Sequence, residues 1–240
     1  MNKSQLIIYG RNPVKEALRS HLVIKAYLLN GFSDKSLLDL LRKEKVKIEY
    51  KSINELNRLA DNNVHQGVVA EIKNYEYKNY EYLLSKIKDK KNPVLVVLDG
   101  INDTHNFGAI LRTCDVFGVD AVIVSKHNQV PLNATVAKSS AGAINYVDVV
   151  QVSNLNQTIL NLKDKGFWVV ASDGSAKTSY MDIDYNFPVI LIVGSEGNGI
   201  SSLLLKNSDF IVKIPQFGHV NSLNASVAFA IIISKIKNIV

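Results

Sequence analysis

Val94-Leu95-Val96-Val97-Leu98 is the stretch on which the fold turns. Five consecutive apolar residues, mostly β-branched and bounded by Pro93 and Asp99-Gly100, describe a strand buried on both faces, the habit of strands inside a parallel sheet. Comparable runs recur at 121–124, 147–150, 167–171, 189–193 and 210–214. Helical stretches fall between most of them, at 107–117, 134–141, 155–164 and 201–206, and a last helix is expected over 223–237. The alternation predicts an open, mostly parallel α/β sheet with helices on both faces. Ligands on such sheets bind beyond the carboxyl ends of strands. Two glycine-bearing segments lie there, Gly194 after one strand and Gly218 after the next.

Upstream the pattern is different. Asn12-Pro13 opens a helix to about residue 19, with proline early, where its missing N–H costs little. Strands are expected at 23–29, 46–50 and 67–72, and helices at 33–45 and 53–60, the former with Leu37, Leu38, Leu40 and Leu41 as its apolar stripe. This is a small α/β unit near the lower size limit for independent folding. A tandem of Asn-Tyr-Glu-Tyr follows at 74–82, then the Lys-rich stretch 86–91. It reads as a linker with a short helix over 80–87, its tyrosines packing rather than stacking on bases. The expected organisation is a substrate-binding domain over 1–73, a linker over 74–92 and a larger α/β domain over 93–240.

Charge divides along the same line. Residues 1–92 carry 18 Lys and Arg against 11 Asp and Glu, and residues 93–240 carry 10 against 11. The surplus of the +6 chain therefore sits in the first part, which suggests that the front binds a polyanion and the back does chemistry. The apolar stretch 227–233 is too short to cross a bilayer, and Leu6-Ile7-Ile8 is no signal-peptide core. The lone cysteine, Cys114, reads as a small buried side chain in a reducing compartment. Five histidines are scattered without ligand-like spacing. A soluble cytoplasmic protein with no metal site and no membrane is expected.

Gly194-Ser195-Glu196-Gly197-Asn198-Gly199 follows a strand and precedes a helix, so it could let a ligand approach bare backbone. No Lys-Ser or Lys-Thr follows, as a Walker A loop requires, and the spacing is not the dinucleotide fingerprint. A tight strand-to-helix turn accounts for it equally well. Ser222, Asn224 and Ser226 suit a helix start, and Asn106 suits the start of the helix leading to Arg112. Arg112, on a helix otherwise built of Ala, Ile, Leu and Thr, is harder to dismiss, because a guanidinium facing the carboxyl end of the sheet needs an anionic partner.

Three segments in this order, Asn106-Phe107-Gly108-Ala109-Ile110-Leu111-Arg112-Thr113, then 194–199, then Ile214-Pro215-Gln216-Phe217-Gly218-His219-Val220-Asn221-Ser222-Leu223-Asn224-Ala225-Ser226, resemble the motifs of the SpoU/TrmH branch of the SPOUT class. Those proteins are RNA ribose 2′-O-methyltransferases that use S-adenosylmethionine. Gly10-Arg11-Asn12-Pro13-Val14 and His65-Gln66-Gly67-Val68-Val69-Ala70 resemble the family's N-terminal substrate-binding module, and 98–106 its entry to the catalytic domain. The resemblance covers essentially the whole chain and is nearest to the branch acting on a guanosine of 23S ribosomal RNA. It implies a catalytic α/β domain with a deep trefoil knot, a homodimer, and the cofactor bent into the knot. Carried onto this sequence, it implies cofactor contacts at Gly194, Gly199, Ile214, Gly218, Leu223 and Ala225. Catalytic or RNA-positioning roles fall on Asn106, Arg112, Glu196, Ser222 and Asn224. Gln216, Ala225 and Ser195 depart from the family's usual Met, Val and Ala, which touches cofactor affinity rather than the polar groups.

The implied reaction is in-line displacement at a sulfonium methyl by a ribose 2′-oxygen. Arginine is hard to deprotonate, so Arg112 is expected to hold the adjoining phosphate and stabilise growing negative charge rather than act as the base. Three other readings compete: a transfer RNA substrate, a non-catalytic RNA-binding assembly factor, and a nucleotide-dependent enzyme on a Rossmann-like sheet. The intact Arg112, Glu196 and Asn224 speak against the second, and the absent Gly-x-Gly-x-x-Gly against the third.

Overall fold

The computed structural model describes residues 6–61, 64–219 and 222–238, and the chain in it packs as two units. The first contains β1 (Leu6–Tyr9), α1 (Arg11–Arg19), β2 (Val23–Leu29), α2 (Lys35–Lys43), β3 (Lys47–Lys51), α3 (Ile53–Ala60) and β4 (Val68–Ile72). Its sheet has the order β1-β4-β2-β3, with β4 antiparallel to both neighbours and β2 parallel to β3. Each helix start has its own chemistry. Asp34 accepts the Leu37 N–H ahead of α2, and Ser52 with Glu55 forms a reciprocal capping box on α3. Of the leucine stripe on α2, Leu37 and Leu41 are fully buried, one helical turn apart, while Leu38 and Leu40 are half-buried.

The second unit begins at Tyr77. The stretch read as a linker is mostly packed. Lys78 exchanges backbone hydrogen bonds with Val149 and Gln151, and α4 (Tyr80–Ile87) buries Leu83 and Ile87 in the core of the unit. Four-residue spacing of two apolar side chains explains why the charged, low-complexity character of 74–92 did not make it a free linker. The chain continues through β5 (Val94–Asp99), α5 (Thr104–Val116) and β6 (Ala121–Ser125). Residues 131–146, with α6 (Ala134–Ser139) and a short 3-10 turn at Ala143–Asn145, then belong to the first unit. There Lys138 Nζ lies 4.8 Å from the centre of the Tyr9 ring, and the Tyr146 hydroxyl meets the Glu16 carboxylate at 2.5 Å.

The second unit resumes with β7 (Val149–Val152), α7 (Leu155–Lys163), β8 (Trp168–Ser172), β9 (Thr178–Ser179) and β10 (Val189–Gly194). It ends with α8 (Ser202–Lys206), β11 (Phe210–Lys213) and α9 (Ala225–Ile236). The strand order is β7-β6-β5-β10-β8-β11-β9, and every pairing is parallel. The apolar runs of β5 and β10 are buried as a doubly covered sheet requires. Because β5 runs beside β10 in register, Asp99 pairs with Gly194, and both strands deliver their carboxyl ends to one place. No helix among the described residues is long and apolar enough to cross a membrane.

Candidate active site

The carboxyl ends of β8, β10 and β11 and the start of α9 enclose a cleft of about 210 Å³. Its floor comes from the loop after β10, which turns back on itself. Ser195 and Gly199 exchange two backbone hydrogen bonds of 3.2 and 3.0 Å, and the Asp99 carboxylate accepts the Ser201 N–H at 2.7 Å. A Cβ on residue 194 would lie 2.2 Å from the Gly199 carbonyl carbon and 2.5 Å from the Ile200 nitrogen. Glycine at 194 is thus required by the loop's own closure, a reason internal to the chain. Added Cβ atoms at Gly174 and Gly199, by contrast, would meet nothing within 4 Å, so their backbone lies open.

The same loop presents the Glu196 carboxylate to two amides. Asn106 Nδ2 donates to Glu196 Oε1 at 2.9 Å, and Asn224 Nδ2 donates to the same oxygen at 2.6 Å and to Asn106 Oδ1 at 2.9 Å. Three segments far apart in sequence therefore close one hydrogen-bonded cluster. Asn106 can join it because Asp103, not Asn106, caps α5 by accepting the His105 N–H at 2.6 Å. The Asn106 side chain is left free for the cluster, and the residue is 6% exposed. Asn224 does both jobs. Its Oδ1 caps α9, accepting from Ser226 N, Val227 N and the Ser226 hydroxyl, and this fixes Nδ2 toward Glu196. The choice between helix cap and site residue dissolves, because the amide has two ends.

Of the residues expected to hold a cofactor, Gly194, Gly199, Ile214, Leu223 and Ala225 line the cleft, together with Glu196 and Ser222. Gly218 is exposed and outside the lining. Val220 and Asn221, quoted with the third motif, lie outside the described residues. Arg112 is exposed and has no hydrogen bond or ion pair among the described residues. It sits six positions after Asn106 on α5, roughly 9 Å along the axis and about 120° around it by helix geometry. Sequence reading missed Ser172-Asp173-Gly174 and Lys213, which also line the cleft. Their signal was the one used for Gly194, an apolar strand followed by polar residues and a glycine.

Comparison with known proteins bears on this geometry directly. The model of the SpoU rRNA Methylase family matches residues 93–234. The chain belongs to the SpoU family of RNA methyltransferases. Residues 7–78 match a second model, RNA 2′-O ribose methyltransferase substrate binding. A protein of Staphylococcus epidermidis assigned to the TrmH family of tRNA/rRNA methyltransferases is 42% identical over 236 residues, 96% of this chain and 94% of that protein. Among solved structures, the SpoU methyltransferase AviRb of Streptomyces viridochromogenes, crystallised with AdoMet, superposes with a TM-score of 0.81 at 21% identity, covering 98% of this chain and 90% of its own. The AdoMet-bound rRNA methyltransferase of Sinorhizobium meliloti gives 0.81 at 22%, covering 98% and 88%. At these identities the likeness is one of fold.

Proposed function

We infer that this SpoU-family chain transfers the methyl group of S-adenosylmethionine to the ribose 2′-hydroxyl of a guanosine in 23S ribosomal RNA, in the cytoplasm. The observation that carries the reading is the Asn106–Glu196–Asn224 cluster standing at the rim of a glycine-lined cleft. The cleft suits that cofactor. Ile214, Leu223 and Ala225 offer apolar contact to a purine and the carbons beside the sulfonium, the open backbone at Gly174 offers hydrogen bonds, and Asp173 and Lys213 offer opposite charges for an amino-acid end.

When bound, S-adenosylmethionine supplies an electrophilic methyl group. The chain's own part is to position and to stabilise. Glu196, held by two amides, borders the cleft, and Asn106 and Asn224 fix the position of its carboxylate. Ser222, exposed on the lining, orients the nucleotide. Arg112 grips the adjoining phosphate and offsets charge growing on the 2′-oxygen. Its exposure and its lack of a hydrogen bond or ion pair among the described residues leave its guanidinium fork available.

A homodimer completes the arrangement. Val116 on α5 and Val227 on α9 are 71% and 45% exposed on two helices that pack together, which supports an apolar self-contact beside Arg112. RNA recognition falls to residues 1–73 and chemistry to 93–240. Mapping 2′-O-methyl nucleotides by mass spectrometry, in RNA from cells with and without the protein, tests the substrate. One ribosomal guanosine should lose its methyl group in the deletion, whereas a loss confined to transfer RNA would move the assignment to that substrate.

A further inference from the structure

The first unit contains a second cluster that methyl transfer itself does not use. Its base is an unusual turn. Gln66 adopts φ 56° and Gly67 φ 80°, and the buried His65 ring holds them there, accepting the Gly67 N–H on Nδ1 at 3.0 Å and pairing Nε2 with Asn57 Oδ1 at 2.9 Å. A left-handed glutamine is strained, and such strain collects at working sites. The turn sets two things. Gln66 Oε1 accepts the Arg11 backbone N–H at 2.9 Å, which leaves its amide NH₂ without a partner among the described residues. Gly67 brings bare backbone against the Phe32 ring, where a Cβ would sit 3.0 Å away. On Phe32 lies the Arg11 guanidinium, 5.5 Å from the ring centre. Arg11 is only loosely neutralised: Asp34 is 3.8 Å away, and Lys15 sits closer to that carboxylate at 3.1 Å. Arg11, Phe32, Gln66 and Gly67 line an open cleft together with Asn12 and Ser33.

A planar cation on an aromatic ring, flanked by a free amide and hydroxyl, is the chemistry that receives an unpaired base with its phosphate. A paired helix would present only backbone to it. We propose that Arg11, Phe32 and Gln66 form a subsite for one unstacked nucleotide of the RNA substrate, the base stacking on the Arg11–Phe32 pair and its edge read by the Gln66 amide. This rests on the reading of the chain as an RNA methyltransferase and adds that the substrate is gripped at an unpaired nucleotide.

The test is fluorescence anisotropy on the full-length chain without cofactor, using labelled decauridine and a short fully paired RNA duplex. Arg11→Gln and Phe32→Leu should each weaken decauridine binding about tenfold, the scale of one lost stacking contact, and leave duplex binding unchanged. Gln66→Gly loses the amide and its bond from the Arg11 N–H but relieves the left-handed backbone, two effects that offset, so it should weaken decauridine binding with little change in thermal midpoint, and a folding defect in Phe32→Leu cannot imitate the result. Equal losses for both RNAs, or none for either, would overturn the subsite, as would a wild-type chain that binds neither. Calorimetry with S-adenosylmethionine on the same preparation keeps the two readings apart: failure there would remove the methyl-transfer reading and leave the subsite result standing.

Discussion

Replacing Asn224 by aspartate separates its two roles more sharply than any truncation. The capping end is conserved, since asparagine and aspartate cap comparably, so the hydrogen bonds from Ser226 and Val227 survive. The other end changes from a donor into an anionic oxygen, 2.6 Å from Glu196 Oε1 and 2.9 Å from Asn106 Oδ1. Two hydrogen bonds vanish and two carboxylates face each other. A hydrogen bond to a charged group is worth about 1.5–3 kcal/mol, and repulsion between exposed charges adds about 1 kcal/mol in water at 4 Å. Both side chains are exposed and can turn apart, so folding stability should fall by no more than about 1 kcal/mol, a few degrees in the melt. The Glu196 geometry goes with that turn. Single-turnover methylation should slow by roughly ten- to a hundredfold, the kinetic equivalent of one charged hydrogen bond. Asn224→Ser, which keeps a capping oxygen and loses the donor, should behave similarly. If Asn224→Asp methylates at the wild-type rate, Asn224 is a helix cap and nothing more.

Gly194→Ala should displace the 195–199 turn, lowering both the thermal midpoint and S-adenosylmethionine affinity in calorimetry, whereas Gly197→Ala, with open space around its Cβ, should leave both near wild type. Burial holds the His65 pKa below its ordinary 6.5, and its Nδ1 must stay unprotonated to accept the Gly67 N–H. The unfolded chain therefore takes up the proton first. The stabilisation is fully present above about pH 6.5 and declines as pH falls below it, so urea midpoints should drop between pH 7.5 and 5.5, with a shallower drop in His65→Gln. A fragment starting at Pro93 should melt well below one starting at Tyr77, because it lacks the buried Leu83 and Ile87 of α4, side chains worth about 2–5 kcal/mol each when deleted from a core. Equal melts for the two fragments would mean that α4 is dispensable.

Much of the sheet was legible because a strand buried on both faces leaves an unbroken apolar run. β5 and β10 are such runs, and the residues between them carry helical spacing. β9 was not, since two residues hold no period, and β1 stood only as a short apolar start. The allegiance of α6 was hidden for another reason. Val136 and Ala137 are buried among residues of the first unit, and no local pattern states which distant segment covers an apolar side chain. At the site, motif order named Asn106, Glu196 and Asn224, and hydrogen-bond geometry supplied what order lacked: that one carboxylate oxygen joins the two amides. The reason for glycine at 194 was illegible, because the atoms that exclude a side chain belong to Gly199 and Ile200, brought back by the turn.

The central claim is that this chain moves a methyl group from S-adenosylmethionine to a ribose 2′-oxygen with Arg112 steadying the charge. Single-turnover transfer of a radiolabelled methyl group to a 23S ribosomal RNA transcript, with nuclease digestion to locate the label, tests it most directly. The account predicts label on the 2′-oxygen of one guanosine. It further predicts a rate lowered by roughly two to three orders of magnitude in Arg112→Ala, the scale of losing one such donor. The melt should stay within about half a kcal/mol of wild type, because Arg112 is exposed and has no partner among the described residues. No label on RNA, label on a base instead of a ribose, or an undiminished rate in Arg112→Ala would contradict it.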